Sequence, residues 1–422
     1  MDARELKGMQ IAAKMPLRKT SQGWQVPSQT GGWNYTVTTA HPTEADTNAY
    51  MCSCPDFELR QQACKHVIAV TYVIERELGP NGEMVTTEEV TVSKVTYTQD
   101  WAAYNAAQCE EKDRFMPMLA DLCGTIPNPP QGRGRPRLPR SDMAFEAVAR
   151  VYSGLSARRF DSDVRENQSK GLTDVDPHFN SVLRYLRDPE MTPILKSLVE
   201  LSAMPLKAVE TDFACDATGF STCTYVRWYD HKWGKEQTQR QWVKLHAMTG
   251  VRTNIVTAVE MTPNHGKGSG DTTNFVPLLE RTAENFTLRD VTADKAYSSK
   301  ANLAAVAEAG GTPFIPFKNS SAINAVPAYQ PLPWAPAWTK MYHMFAYQRD
   351  TFLSRYHVRS NVECTFSMIK RKFGGALRSK SETGQFNEVL CKVIAHNLCV
   401  LIACIHEIGL PTPEFGQTAI GG

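Results

Sequence analysis

The sequence predicts an α/β protein: a mixed sheet flanked by helices in its second half, preceded by a small β/α module and a helical segment. Three observations predict it. From about residue 207 onward, three strand-like stretches joined by turns give way to alternating strand and helix, the pattern of a mixed sheet with helices on its faces. Residues 141–202 lack strand-like alternation and read as successive helices. Near the N-terminus, a tight set of three cysteines and one histidine follows two aromatic, β-branched runs.

The elements follow in order. Gly23-Trp24-Gln25-Val26 and Trp33-Asn34-Tyr35-Thr36-Val37-Thr38 read as strands separated by Gly31-Gly32, and Cys64 to about Glu77 has helical spacing of apolar residues. This makes a module of residues 1–90. Residues 91–140 are a helical connector that runs through Pro127-Asn128-Pro129-Pro130 into a basic segment, Gly132-Arg133-Gly134-Arg135-Pro136-Arg137-Leu138-Pro139-Arg140. In the helical segment 141–204, Ser141 is the expected N-cap of a helix through Tyr152, with short helices over Phe179–Leu186 and Ile194–Leu201. Such a segment suits a DNA-binding unit or a plain spacer.

In the last part, 205–422, strands are expected at Val209–Cys215, Tyr225–Tyr229, Gln241–Met248 and Val251–Met261, with a turn at Thr249-Gly250. A helix follows at Asn274–Glu284, a short strand at Asp290–Ala293, a helix at Ser299–Ala309 and a strand at Thr312–Phe317. A loop carrying Pro327, Pro331, Pro333 and Pro336 then leads to helices from about Met341. Val389–Ile405 reads as a buried helix, so Cys391, His396, Cys399, Cys404 and His406 are expected to belong to a packed helix and not to surround a metal.

Composition narrows the class. At ~150 residues per domain, 422 residues make two or three domains. A hydrophobic share of 42% and a charged share of 21% exclude disordered and fibrous chains. The formal net charge is only +2, so a surface for nucleic acid has to come from local clustering. The N-terminal Met1-Asp2-Ala3-Arg4-Glu5 lacks the apolar stretch of a signal peptide, and the run Leu398–Ile405 is far short of the ~20 residues of a membrane span. Eleven scattered cysteines, an odd number, read as reduced thiols. The expectation is a cytoplasmic protein.

Cys52-x-Cys54-x9-Cys64-x-His66 supplies three thiolates and one imidazole, the donor set of a tetrahedral structural zinc. With four protein ligands no position is left for water, so one zinc ion would hold the fold of a unit whose own core is small. The run Cys52-Ser53-Cys54-Pro55-Asp56-Phe57 followed by Cys64-Lys65-His66-Val67-Ile68-Ala69-Val70 resembles the SWIM zinc finger. SWIM modules bind DNA or protein, and the resemblance does not choose between them.

Three acidic segments carry the chemistry. Asp212-Phe213-Ala214-Cys215-Asp216-Ala217-Thr218-Gly219 is a strand running into an acid and a turn; Val291-Thr292-Ala293-Asp294-Lys295-Ala296-Tyr297 is another. The third, Tyr356 to Glu363, is expected to run as a helix to Phe373. Carboxylates at strand ends and on a nearby helix can converge, and their hard oxygens suit magnesium or manganese. Two such ions serve in-line phosphoryl transfer. Tyr356, Arg359, Glu363 and Lys370 stand at i, i+3, i+7 and i+14, one stripe of a helix, where the carboxylate can hold metal while the phenol, guanidinium and ammonium grip phosphate oxygens. From Ser354 to Lys380 seven basic residues face Glu363 alone, a local basic surface.

This constellation resembles the DDE transposases of bacterial insertion sequences, whose core is ribonuclease-H-like. Tyr356, Arg359, Glu363 and Lys370 match their Y-(2)-R-(3)-E-(6)-K signature at every position, Asp216 sits in Asp216-Ala217-Thr218-Gly219, and Asp294 in Asp294-Lys295-Ala296-Tyr297, where the family often has Gly in place of Ala296. The resemblance implies a DNA transposase that cuts element ends and joins them to target DNA, with Asp216, Asp294 and Glu363 holding two magnesium or manganese ions and Tyr356, Arg359 and Lys370 touching DNA. Asp216 is preferred over Asp212 because it occupies the family motif. Pairing two element ends implies at least a homodimer on DNA. A DNA-binding protein descended from a transposase, with catalysis lost, and a metal-dependent nuclease without strand transfer are the alternatives; the intact acids favour activity.

Two weaker signals complete the reading. Arg133-Gly134-Arg135-Pro136 contains the core of an AT-hook, in which Arg133 and Arg135 would lie in the minor groove of A·T-rich DNA; as a solvated basic linker it would do nothing of the kind. Trp228, Trp233, Trp242, Trp334 and Trp338 are expected to serve packing before any stacking on a base.

Overall fold

The computed structural model describes residues 3–29, 33–39, 50–60, 62–77, 100–128, 130, 133–134, 136–222, 242–263, 269–318 and 335–418. The expected strand Tyr225–Tyr229, the prolines 327, 331 and 333, the tryptophans 228, 233 and 334, and Arg135 lie outside the described residues. Two compact units divide the chain, Met1–Tyr97 and Thr98–Gly422.

The first unit contains α1 (Ala3–Lys14), β1 (Arg18–Thr20), β2 (Gly23–Pro27), β3 (Asn34–Thr39), β4 (Tyr50–Cys52), α2 (Pro55–Arg60) and α3 (Lys65–Glu77). The four strands form an antiparallel sheet in chain order. Strand alternation buries Trp24 and Val26 on one side of β2, with Trp24 opposite the buried Val37. The N-terminal helix, not expected from the sequence, lies along α3. A Cβ at Gly8 would come within 2.6 Å of Ile68 Cγ2, so the close approach depends on glycine there.

The second unit begins with six helices: α4 (Trp101–Cys109), α5 (Glu111–Gly124), α6 (Arg140–Ser153), α7 (Asp161–Ser169), α8 (Phe179–Leu186) and α9 (Met191–Ala203). Helix α6 starts one residue before Ser141, which therefore occupies the first turn and does not cap it; its hydroxyl donates to Asp142. Gly154, with φ of 68°, ends α6 in the left-handed conformation that glycine adopts without steric cost.

The sheet follows: β5 (Asp212–Ser221), β6 (Trp242–Gly250), β7 (Val256–Pro263), α10 (Asp271–Asn285), β8 (Asp290–Ala293), α11 (Lys300–Glu308) and β9 (Thr312–Phe314). Then come α12 (Ala335–Tyr347), α13 (Arg349–Tyr356), α14 (Ser360–Phe373), α15 (Glu382–Glu407) and α16 (Phe415–Thr418). The strand order is β7-β6-β5-β8-β9, antiparallel among the first three and parallel across β5, β8 and β9. This is the mixed, helix-flanked sheet expected of a ribonuclease-H-like core. Thr218 meets α14 through Lys370, whereas His246, opposite Ala217 and so on the other face, meets Asp271 of α10. Helices therefore cover both faces.

Several boundaries differ from the sequence reading: β5 starts at Asp212 and not Val209, β7 starts at Val256 and not Val251, and β9 ends at Phe314 and not Phe317. β5 does not stop at Asp216 but runs on to Ser221, because β6 pairs with it along its length. Thr249-Gly250 closes β6, and the turn lies one step later, where Asn254 adopts φ of 66°.

One hydrophobic core spans the helices from α5 onward and the sheet, and α15 runs through it. The helix is long and apolar enough to cross a membrane, although its longest uninterrupted apolar run is short because His396 and Asn397 interrupt it; 78% of its most apolar stretch is buried within the protein. Its buried polar groups each satisfy backbone elsewhere, as buried polar atoms must. Glu388 accepts from the amides of Arg378 (3.0 Å) and Ser379 (2.8 Å). Lys392 donates to the carbonyls of Gly374 (2.6 Å) and Ala376 (3.0 Å). Asn397 accepts from Val256 N–H (2.9 Å) and donates to Val256 O (2.8 Å) and Ser202 (2.9 Å), tying α15 to β7 and α9. The cysteines of this helix pack in the core, as expected.

Asn397→Leu removes four buried hydrogen bonds, to Val256 N–H and O, Ser202 Oγ and Val199 O, and should lower the unfolding free energy by about 3 kcal/mol in urea titration; a change below about 1 kcal/mol would refute the tie. Burial holds both His246 and His396 down to about 4. Unfolded, each binds a proton near pH 6.5, so stability is whole above that pH and falls as pH drops toward 4, by up to about 3 kcal/mol per ring. Urea midpoints measured from pH 7 to 4.5 should show this slope, and it should shrink by about half in His396→Gln.

Candidate functional site

The register of β5 on β8 builds the acidic centre. Their last parallel pair is Cys215 with Ala293. One residue further on, Asp216 and Asp294 stand side by side on neighbouring strands, about 4.8 Å apart in the backbone and on the same face. Asp294 keeps extended dihedrals as it leaves β8, and its carboxylate caps a 3₁₀ turn by accepting from Lys295 N–H at 2.6 Å. Asp212, four residues earlier, begins β5, about 13 Å along the strand from Asp216, and is ion-paired with Arg289 (Nε to Oδ1, 2.7 Å).

Glu363 arrives from α14, and two neighbours on that helix fix its place. Asn361 Nδ2 donates to Val251 O (2.7 Å) and Thr365 Oγ1 to Asn254 Oδ1 (3.1 Å), so both sides of Glu363 are fastened to the β6–β7 turn. His396 of α15 donates to Asn254 O (2.9 Å) and holds the same turn from beneath. The helix is not continuous from Tyr356. Tyr356 ends α13, a 3₁₀ turn His357–Arg359 intervenes, and α14 starts at Ser360. The four signature residues nevertheless gather: the Arg359 guanidinium lies 5.9 Å from the Tyr356 ring centre, and Lys370 shares a cleft with Glu363.

That cleft, about 460 Å³, is lined by Asp216, Thr218, Glu363, Ser367, Lys370 and Arg371, among others. Lys370 Nζ donates to Thr218 Oγ1 at 2.6 Å, and burial lowers its affinity for the proton. Arg359 spans two acids: Nη1 is 2.8 Å from Asp216 Oδ2 and Nη2 is 2.5 Å from Glu363 Oε1. Burial, together with the charges of Asp294 and Glu363, pushes the Asp216 carboxyl above its ordinary value, while its bond from Ala217 N–H and Arg359 pull the other way. Burial raises the Tyr356 phenol as well. Two half-buried carboxylates, Asp216 and Asp294, and the exposed Glu363, with cationic neighbours, are suited to divalent cations and to phosphate oxygens. Sequence reasoning missed three contributors: Thr218, which alternation from Asp216 puts on the same face; the Asn361 and Thr365 anchors; and the bridge by Arg359, whose i, i+4 spacing from Glu363 was a sign of pairing.

Arg133 is exposed, at a bend before Gly134, which has φ of 111°. Trp338 is buried against Phe317, with ring centres 4.8 Å apart, and Trp242 is exposed at the start of β6.

The first unit gathers the cysteine and histidine set. Cys52 ends β4, Cys54 follows it, Cys64 precedes α3 and His66 lies in its first turn. All four are buried, and their ligand atoms lie within 4.8 Å of one another. Among the described residues this is the group of three or more such side chains so gathered. His66 Nδ1 is 3.8 Å from Cys52 Sγ and 3.9 Å from Cys64 Sγ. Tetrahedral zinc, with bonds of ~2.3 Å to sulfur and ~2.0 Å to nitrogen, needs donor separations of about 3.5 Å between sulfur and nitrogen and about 3.8 Å between sulfurs, so the set fits with a small contraction. The Cys52 thiol, hydrogen-bonded to Cys64 and buried, is pushed up; the same bond, with His66 and the start of α3, pulls Cys64 down. One thiolate is thus favoured without metal, and a cation is needed for three. The Tyr35 ring packs on His66 at 4.6 Å.

Residues 207–398 match the family model of the transposase DDE domain, and residues 46–75 match that of the SWIM zinc finger. No curated protein matches the chain. A DDE domain implies a divalent metal, and a SWIM finger implies zinc.

Purified protein should contain one zinc per chain by elemental analysis. His66→Ala should lose it and unfold the first unit, seen as loss of protease resistance over residues 1–97, while the second unit stays folded. Full zinc content in that variant would exclude His66 as a ligand. The chain carries a transposase DDE domain preceded by a SWIM zinc finger.

Proposed function

We propose that this protein is an active DNA transposase, which cuts the ends of its element and joins them to target DNA. The observation that carries this reading is the adjacency of Asp216 and Asp294 across two parallel strands, with Glu363 in the cleft beside them. These three carboxylates would hold the catalytic magnesium or manganese ions. Two such ions, when bound, supply activation of the attacking oxygen and stabilisation of the leaving one.

The chain's own residues do the rest. Lys370, on the cleft wall and held by Thr218, grips a phosphate oxygen of the cut strand, and Tyr356 and Arg359 contact the DNA beside it. The half-buried setting of Lys370 strengthens that contact by reducing its exposure to water. Cys52, Cys54, Cys64 and His66 hold one structural zinc ion, which stabilises the first unit and does no chemistry. Arg133 and Arg135 add minor-groove contacts in A·T-rich DNA. The partners are the terminal inverted repeats and target DNA. Joining two ends at once requires at least a homodimer on the DNA, and the site of action is the cytoplasm, at the nucleoid.

With magnesium, the protein should cut a duplex bearing the terminal repeats of its element and join a pre-cut end to a plasmid. Glu363→Gln should slow both by about a thousandfold or more, the loss of several kcal/mol of charge stabilisation. Cutting without joining would identify a nuclease; specific binding without either would identify a silent descendant.

A further inference from the structure

A cationic side chain bridges two of the three acids. Arg359 is mostly buried, with 19% of its side chain exposed, and its two terminal nitrogens each hold an oxygen of a different acid. The oxygens involved, Asp216 Oδ2 and Glu363 Oε1, are groups a divalent ion would need. The guanidinium sits between the two carboxylates. Electrostatics favours this bridge. Carboxylates gathered in a partly buried cleft repel one another, and a guanidinium that reaches two of them offsets that repulsion with two charge-assisted hydrogen bonds. Lys370, also in the cleft, points its ammonium to a hydroxyl, so Arg359 carries this role.

We propose that Arg359 is the resident counter-ion of the metal-free site, competing with divalent cations for Asp216 and Glu363 until it is drawn away. This rests on the reading of the acids as a metal site and adds a coupling to it. The guanidinium has one place among the acids and another on a DNA phosphate. Metal entry releases it toward DNA; DNA, by engaging it, vacates the carboxylates for metal. Because the two equilibria share one side chain, each ligand raises the affinity for the other by the same factor. The site is thereby kept weakly metallated until DNA arrives. Position supports the movement: Arg359 lies in the 3₁₀ turn between α13 and α14, outside either helix, and its long side chain changes direction by rotation about single bonds.

The test is manganese binding to zinc-loaded, full-length protein, measured from the spin resonance signal of free Mn²⁺, with binding that survives in Glu363→Gln subtracted as background. Without DNA, Arg359→Gln should bind Mn²⁺ about tenfold more tightly than the unaltered chain, and Arg359→Lys, which keeps the charge but cannot reach both acids, should fall between them. Adding terminal-repeat DNA should tighten Mn²⁺ binding to the unaltered chain and leave Arg359→Gln nearly unchanged. Melting curves matching that of the unaltered chain establish that the variants fold; should Arg359→Gln melt early, the lysine variant and the DNA effect on the unaltered chain decide. Equal or weaker Mn²⁺ binding by the folded glutamine variant, or no effect of DNA on the unaltered chain, overturns the competition while leaving the metal site standing. No Glu363-dependent binding by any form, with or without DNA, overturns the metal site and the competition together.

Discussion

The second unit depends on setting like charges side by side. β5 and β8 are parallel and in register up to Cys215 and Ala293, and the next residue on each is an aspartate. No side-chain choice can separate Asp216 from Asp294 without shifting the strands, and a one-residue shift would turn either acid to the other face. The sheet therefore commits the fold to a concentrated negative charge at one point. Everything around that point answers it: burial and neighbouring acids raise the Asp216 carboxyl, Arg359 bridges to Glu363, and the cleft is rimmed by Lys370 and Arg371.

Holding the third acid in place is the task of parts remote from it. Glu363 lies near the start of α14, and a helix end is an imprecise mount unless it is tied down. Asn361 and Thr365 do so by bonding to the β6–β7 turn, and α15 secures that turn through His396 and its neighbouring strand through Asn397. A helix apolar enough for a bilayer is thereby used as a spine whose few polar groups are spent on positioning backbone. The strained dihedral of Asn254, the left-handed residue at the centre of this knot, persists because three groups hold it: the Gly250 carbonyl, Thr365 and His396.

The first unit meets a similar electrostatic problem with a different chemistry. Three thiols and an imidazole are buried together with a modest apolar core around them. Soft donors and full burial suit a permanently bound ion that closes the site, whereas the oxygen donors and open cleft of the second unit suit a hard, exchangeable cation.

Residue type and spacing were enough to single out the Cys/His set, the three acids and the signature around Glu363 as candidates, because each is a short pattern whose chemistry is intrinsic to its side chains. The alternation and turns that announced the mixed sheet are local as well, and the short strand Asp290–Ala293 emerged with its expected bounds. What lay beyond reach was set by partners distant along the chain. β5 continues past Asp216 because β6 supplies hydrogen bonds to it, and the helix breaks after Tyr356 although the stripe of side chains reads as unbroken. The bridge of Arg359 to Asp216 crosses 143 residues. Sequence by itself determined which groups carry charge and which metals they suit; only the tertiary structure decided which charges meet, since that depends on strand register and helix docking, neither of which is written in any single segment.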